Sequence, residues 1–201
     1  MTTIDFIFDV GSPNAYLCHK VLASLARRTG AHINYIPCLL GGIFKATGNQ
    51  SPFMAHAGIK NKLEYEQLEM QRFIDKHNIP FRMNPNFPVN TLQLMRGAVV
   101  ADLEGQQATY IEGLFHYMWE EPRPLDDSAV LQQTLSELGL DAATYWRRMH
   151  EDGIKKKLAD NTQAAVDRGA FGIPTFFVGE AMWFGKERLG DIEAYLAEQK
   201  R

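Results

Sequence analysis

The chain has 201 residues, enough for one domain with a sizeable core or for a core domain with an inserted subdomain. Its hydrophobic content of 45% and charged content of 22% are typical of a globular protein. A net charge of −3 without a Lys/Arg-rich stripe argues against a nucleic-acid partner. No apolar run approaches the roughly 20 residues of a membrane span, and two acids within residues 4–10 argue against a signal peptide.

The beginning of the chain predicts the opening of an α/β sheet. Residues 4–10 are rich in Ile, Phe and Val, which is typical of a central strand. Ser12 is a preferred residue for a helix N-cap, and Pro13 suits the first turn of a helix. This helix ends near Gly30, and residues 32–37 predict a second strand. Its buried face is marked by apolar side chains at helical spacing: Cys18, Val21, Leu22 and Leu25.

The middle of the chain, residues 41–169, shows helical patterns and almost no strand signal. Residues 78–90 carry three prolines and predict a loop. Ser128 is the predicted N-cap of one helix, and Gly153 marks a predicted break within the last one. The predicted helices cover residues 60–77, 91–104, 107–120, 128–138 and 142–168.

The end of the chain returns to strand patterns. Residues 175–178 and 181–184 predict two short strands, and residues 186–199 predict a helix. The order β-α-β, helical block, β-β-α predicts an α/β fold in which both chain ends build one sheet and a helical subdomain is inserted. The predicted boundaries are residues 1–40 and 170–201 for the sheet domain and 41–169 for the helical subdomain.

Three motifs together resemble the thioredoxin superfamily, specifically its DsbA-like branch with a helical insertion. Residues 11–15 (GSPNA) lie between strand and helix, where that branch carries Cys-Pro-x-Cys. Residues 171–175 (FGIPT) precede a strand, as the superfamily's cis-proline does, and residues 183–189 (WFGKERL) open the last helix. The combination resembles the 2-hydroxychromene-2-carboxylate isomerase family and its sister, the kappa-class glutathione transferases. Residues 42–49 and 60–65 also resemble segments of those families.

Position 12 decides which chemistry the sequence predicts. Disulfide exchange needs a low-pKa thiolate and usually a second thiol nearby, whereas positions 12 and 15 are Ser and Ala. At a helix N-terminus, free backbone N–H groups and the helix dipole favour an anion, and the Ser12 hydroxyl can donate to a thiol sulfur. Ser12 is therefore the predicted catalytic residue, stabilising the thiolate of glutathione. The alternative, that Ser12 only caps its helix, stays open at this point.

The resemblance also implies which residues hold glutathione. A cis Ile173–Pro174 bond would let the Ile173 backbone pair with the cysteinyl backbone of glutathione. The start of the last helix would take the γ-glutamyl end, although Glu187 stands where relatives often carry Asp. Besides Ser12, the implied cofactor-binding residues are Asn49, Lys60, Ile173, Pro174, Lys186, Glu187 and Arg188, with Lys62 as the alternative to Lys60.

Three functions remain open on the sequence. The first is a glutathione-dependent cis-trans isomerase that acts on an aromatic-degradation intermediate by reversible thiolate addition. The second is a kappa-like glutathione transferase or peroxidase on another electrophile, and the third is a redox-inactive binding protein. The candidate substrate pocket, which the helical insertion would wall, contains Phe44, Phe87, Asn90 and Trp183, although aromatic side chains at helical spacing are usually core.

The cysteines and histidines add little chemistry of their own. Cys18 and Cys38 form no Cys-x-x-Cys pair, so we predict two inert thiols and a reducing, cytoplasmic setting. The six histidines lack metal-ligand spacing, so no metal is predicted. The resemblance further implies a homodimer.

Overall fold

The computed structural model describes residues 2–200 and contains, within them, one four-stranded sheet. β1 (Thr3–Phe8), β2 (His32–Pro37), β3 (Thr175–Val178) and β4 (Ala181–Phe184) lie in the order β2-β1-β3-β4. β1 pairs in parallel with β2, and β3 is antiparallel to both β1 and β4. Both ends of the chain therefore build the same sheet, as the sequence predicts.

The helix after β1 has the termini that its sequence predicts. α1 (Pro13–Thr29) begins after Ser12, whose extended backbone lets its hydroxyl accept a hydrogen bond from Ala15 N. It ends at Gly30, whose φ of 67° lies in the left-handed region that glycine tolerates best. Its apolar face buries Cys18, Leu22 and Leu25 almost completely.

Helices fill the chain between β2 and β3, again as predicted. They are α2 (Leu40–Thr47), α3 (Pro52–His56), α4 (Lys62–His77), α5 (Leu92–Leu103), α6 (Gln107–Trp119), α7 (Ser128–Glu137), α8 (Ala142–Arg148) and α9 (Asp152–Asp167). The break predicted near Gly153 falls just before it, between α8 and α9. After β4 come a 3₁₀ turn (Lys186–Arg188) and α10 (Leu189–Glu198), where the sequence predicts one continuous helix.

The cap predicted for α7 is wrong by one residue. Asp127, not Ser128, is the N-cap, and its Oδ1 accepts hydrogen bonds from Ala129 N at 2.8 Å and Val130 N at 3.1 Å. The backbone of Asp127 is extended, so its short carboxylate reaches these two free N–H groups. Ser128 is instead the first residue of the helix.

The apolar core continues from the sheet into the helices. Phe6 of β1 stacks on Phe176 of β3 with ring centroids 5.1 Å apart. The buried Trp119 at the end of α6 donates from Nε1 to the carbonyl oxygen of Val10 at 2.8 Å. This bond ties the helical region to the turn that follows β1. The division into a sheet domain and a helical subdomain at the predicted boundaries stays a prediction. Within residues 2–200, no helix combines the length and hydrophobicity needed to cross a membrane.

Candidate functional site

Ser12 lies buried between the end of β1 and the first turn of α1. Its Oγ accepts from Ala15 N at 3.2 Å and donates to the carbonyl oxygen of Ile173 at 3.4 Å. Its backbone N donates to the carbonyl oxygen of Asp9 at 3.0 Å. The hydroxyl therefore sits at the positive end of a 17-residue helix and against the segment that precedes β3.

The segment before β3 contains the cis bond that the resemblance implies. Ile173–Pro174 is cis. The Thr175 hydroxyl donates to the carbonyl oxygen of Gly172 at 2.8 Å, which closes this turn. Gly185 N donates to the carbonyl oxygen of Pro174 at 3.0 Å, so the residues after β4 lie beside the same turn. One end of the sheet, where β1 and β4 finish and β3 begins, therefore carries Ser12, Ile173, Pro174 and the Lys186–Arg188 turn.

Asn49 also lies at this end of the sheet. Asn49 Nδ2 donates to the carbonyl oxygen of Phe171 at 2.8 Å, just before the cis bond. Lys60 is exposed in the turn that precedes α4 and, among residues 2–200, forms no hydrogen bond or ion pair with the Ser12 region. Lys62 pairs instead with Glu66 at 3.2 Å along its own helix. The role of Lys60 or Lys62 thus stays a prediction.

Charges of both signs gather in the turn after β4. Lys186 is 6% exposed, forms an ion pair with Glu187, and its Nζ lies 6.0 Å from the centre of the Phe73 ring. Arg188 forms a separate ion pair, with Asp191 at 3.1 Å. A cavity of about 170 Å³ opens between this turn and α4, and it is lined by Glu69, Arg72, Phe73, Lys76, Lys186 and Glu187.

A buried carboxylate lies beneath the Ser12 turn. Asp9 is 1% exposed, and its Oδ1 accepts from Gly11 N at 2.9 Å. Its Oδ2 accepts from Leu40 N at 2.9 Å and from the Thr91 hydroxyl at 3.0 Å. Burial raises the pKa of this carboxyl, and the three hydrogen bonds oppose that rise by stabilising the anion.

Burial disfavours the thiolate form of both cysteines. Cys18 is fully buried, and this burial raises the pKa of its thiol well above the ordinary value. Burial likewise raises the pKa of Cys38 to about 12. The prediction that Cys18 faces the core is confirmed, and both thiols are free.

The four predicted pocket residues lie in different surroundings. Phe87 packs against Phe53 and Trp119, with ring centroids 5.7 and 5.9 Å apart. Trp183 packs against Tyr195 of α10 at 5.0 Å. Phe44 is half-buried on α2. Asn90 lines a second cavity, of about 250 Å³, together with Leu92, Gln93, Leu125, Asp126, Ser128, Leu131 and Trp146. Their grouping in one substrate pocket stays a prediction.

Comparison with known proteins assigns the family. A family model described as a DSBA-like thioredoxin domain matches residues 3–197. The chain belongs to the DsbA-like thioredoxin family. Within it, the chain is 30% identical over 191 residues to 2-hydroxychromene-2-carboxylate isomerase of Pseudomonas putida, covering 95% of this chain and 92% of the relative.

Two further comparisons agree. A solved structure of selenomethionine 2-hydroxychromene-2-carboxylate isomerase superimposes with a TM-score of 0.85 at 29% identity, covering 99% of this chain and 96% of that one. Glutathione S-transferase kappa 1 of Rattus norvegicus is 25% identical over 212 residues, covering 98% of this chain and 91% of the relative. These relatives are enzymes, and the predicted resemblance and fold class are confirmed.

The DsbA-like scaffold also contains residues that sequence reasoning missed. In the sequence, Asp9 stands out only as one of two acids that argue against a signal peptide. A carboxylate at the end of an apolar central strand must be buried and hydrogen-bonded, which is a signal that could have identified it. Sequence patterns do not identify Arg72 and Lys76, because a basic residue on an exposed helix face does not show which other segment of the chain packs opposite it.

Proposed function

We propose that this protein is a glutathione-dependent cis-trans isomerase similar to 2-hydroxychromene-2-carboxylate isomerase, acting on an aromatic-degradation intermediate. One observation carries the proposal. The Ser12 hydroxyl lies at the N-terminus of α1 and within hydrogen-bond distance of Ile173, next to the cis Pro174. This is a site for an anionic sulfur at a position that, without a thiol, cannot perform disulfide exchange.

The residues at this end of the sheet fit the chemistry of glutathione, which has two carboxylates, one ammonium and two peptide groups. The Ile173 backbone beside the cis bond offers main-chain pairing to the cysteinyl unit. Lys186 and Glu187, with Arg72 and Lys76 across the cavity, offer both signs of charge to the zwitterionic γ-glutamyl group. Asn49 adds an amide close to the same segment.

Ser12 would act by holding negative charge on the sulfur. Its present bond to the Ile173 carbonyl oxygen is long, at 3.4 Å, and therefore weak. The hydroxyl proton can turn from this oxygen to a sulfur placed at the helix N-terminus, where the dipole also favours the anion. When bound, glutathione would supply the thiolate for reversible addition to a double bond conjugated to a carbonyl, and elimination after rotation would return the glutathione unchanged.

The test measures turnover and the concentration of free thiol in the same reaction. The protein is incubated with reduced glutathione and a conjugated cis-trans substrate, while alkene geometry and free thiol are followed together. Isomerisation with constant free thiol supports the proposal. Stoichiometric loss of thiol with formation of an adduct supports the alternative, a kappa-like transferase, and that alternative is favoured by the kappa-class relative. No reaction with a panel of such electrophiles contradicts both.

A homodimer and a reducing, cytoplasmic setting are part of the same proposal. Several large apolar side chains are exposed on α3, on α4 and between them: Phe53, Met54, Ile59, Tyr65 and Leu68. Exposed apolar surface of this kind supports association with a second copy. We expect light scattering to give twice the monomer mass for the wild-type protein and a lower mass for Leu68→Glu. A wild-type monomer at all concentrations would contradict the proposed homodimer. The two free, buried thiols support the reducing setting.

A further inference from the structure

The carboxylate of Asp9 connects three separate parts of the chain. Its donors are Gly11 in the turn after β1, Leu40 at the start of α2, and Thr91 just before α5. The side chain of Asp9 is 1% exposed, and three donors within 3.0 Å fix both of its oxygens in place. One side chain therefore sets the position of the turn relative to both neighbouring segments.

Packing reinforces these bonds at Gly11. A Cβ atom at position 11 would lie only 2.7 Å from Thr91 Cγ2, so the turn rests directly on the Thr91 methyl group. The same Thr91 uses its hydroxyl to hold Asp9. Ser12, the next residue, donates its backbone N–H to the Asp9 carbonyl oxygen. Ser12 is thus fixed to Asp9 directly and, through Gly11 and Thr91, indirectly.

We propose that Asp9 is the positioning residue that, together with Thr91, aims the Ser12 hydroxyl at the sulfur of bound glutathione. Asp9 itself touches neither sulfur nor substrate. A hydrogen-bond donor stabilises a developing anion only when it is held in place beforehand, so small shifts of the turn weaken the effect. The proposal rests on the proposed function, because it names how the same site is organised.

The sharpest test uses the two small variants of Thr91. Thr91→Val keeps the shape and the methyl group but removes the bond to Asp9, whereas Thr91→Ser keeps the bond and removes the methyl group. The readout is the thiolate absorbance of saturating reduced glutathione at neutral pH. Loss of one hydrogen bond in the network predicts an about fivefold smaller ratio of thiolate to thiol in Thr91→Val. Thr91→Ser should stay within about twofold of the wild type.

A matched control separates positioning from general destabilisation. Thr134 in α7 is likewise a buried threonine, and its hydroxyl accepts from Arg123 Nη1 at 3.0 Å. Thr134→Val makes the same chemical change and should lower the melting temperature without changing the thiolate ratio. Asp9→Asn, which cannot accept from all three donors, should lower the ratio further than Thr91→Val. If Asp9→Asn fails to fold, the Thr91 pair decides alone.

The outcomes also separate this proposal from the function on which it rests. If the wild-type protein binds no glutathione or forms no thiolate, the proposed function fails. If the wild type forms thiolate and Thr91→Val, while folded, forms just as much, Asp9 only stabilises the fold and the proposal is overturned. A loss in Thr91→Ser as large as that in Thr91→Val would also overturn it, since the turn would then respond to any change at position 91 and not specifically to loss of the bond to Asp9.

Discussion

Helix α1 carries two groups of polar contacts, and they are built in opposite ways. At its N-terminus, Ser12 and Asp9 are buried and bond to Ile173 and Thr91, which are 161 and 82 positions away in the chain. On its outer side, His19 and Lys20 lie within hydrogen-bond distance of Glu112 on α6, whose side chain is in contact with water. Because the buried contacts fix the position of the Ser12 hydroxyl, we expect them to affect turnover. Because water screens the outer contacts, we expect those to affect only the stability of the fold.

The outer group is nonetheless extensive. His19 Nε2 lies 2.7 Å from Glu112, and Lys20 Nζ lies 3.0 Å from Glu112 and 3.1 Å from Glu120. The hydrogen bond from His19, helped by Lys20, lowers the pKa of Glu112 to about 2. The Glu112 side chain is 58% exposed, however, and ion pairs in contact with water contribute on the order of 1 kcal/mol or less.

The largest effect is expected at Ser12. Ser12→Ala removes the hydroxyl donor and should reduce turnover about 100-fold, as loss of one donor to a developing anion does in other enzymes. Its effect on stability should be about 1 kcal/mol, the cost of a lost N-cap. Ser12→Asp is the control, because aspartate caps a helix as well as serine but cannot donate when ionised. Wild-type turnover in Ser12→Asp would assign Ser12 a capping role alone.

A smaller effect is expected at Gly11, where the turn after β1 packs against Thr91. Gly11→Ala places a methyl group 2.7 Å from Thr91 Cγ2, so the turn must shift, with about 1–3 kcal/mol lower stability and about tenfold lower turnover. Gly41→Ala in α2 is the matched control, because nothing lies within 4 Å of its Cβ. That variant should be neutral or slightly stabilising. Steady-state kinetics and thermal melts check both, and equal behaviour of the two variants would contradict the comparison.

Glu187 is an intermediate case, exposed yet paired with the buried Lys186. Glu187→Gln should raise the apparent KM for glutathione about fivefold, since one charged partner of the γ-glutamyl group is lost, while kcat stays nearly constant. Glu180→Gln, in the exposed turn between β3 and β4, is the control and should change neither constant. A drop in kcat with unchanged KM would place Glu187 in the chemistry instead of in binding.

The smallest effect is expected in the outer group. Glu112→Gln should leave turnover unchanged and lower stability by about 1 kcal/mol or less at neutral pH. The folded-state pKa of Glu112 lies below its ordinary value of 4.5, so its stabilising contribution is present above about pH 4.5 and is lost as the pH falls toward 2. Denaturant melts of both proteins should therefore converge in that range. A difference that persists at pH 2 would contradict this account.

Much of the fold follows from local patterns in the sequence. The strands at 32–37, 175–178 and 181–184 have the predicted bounds, because turn-forming residues directly flank each run of strand-forming residues. The cap at Ser12 is predicted by an equally local pattern. The cap predicted at Ser128 is wrong because the neighbouring Asp127 caps the same N–H groups. Local patterns work where each residue's partner is only a few positions away.

Long-range partners were beyond the reach of such patterns. The bonds of Asp9 to Leu40 and Thr91 span 31 and 82 positions, and no periodicity connects them. The cavity that places Arg72 opposite Lys186 depends on how α4 packs, not on either segment alone. The convergence of Ser12 with Pro174 was predicted only because the whole arrangement resembles a known family.

The most direct test of the account is a titration of reduced glutathione into the purified protein at neutral pH, with heat and thiolate absorbance followed together and Ser12→Ala measured alongside. The account predicts binding with thiolate formation in the wild-type protein, and loss of the thiolate signal in Ser12→Ala. No binding to the folded wild-type protein, or an equal thiolate signal in Ser12→Ala, would contradict it.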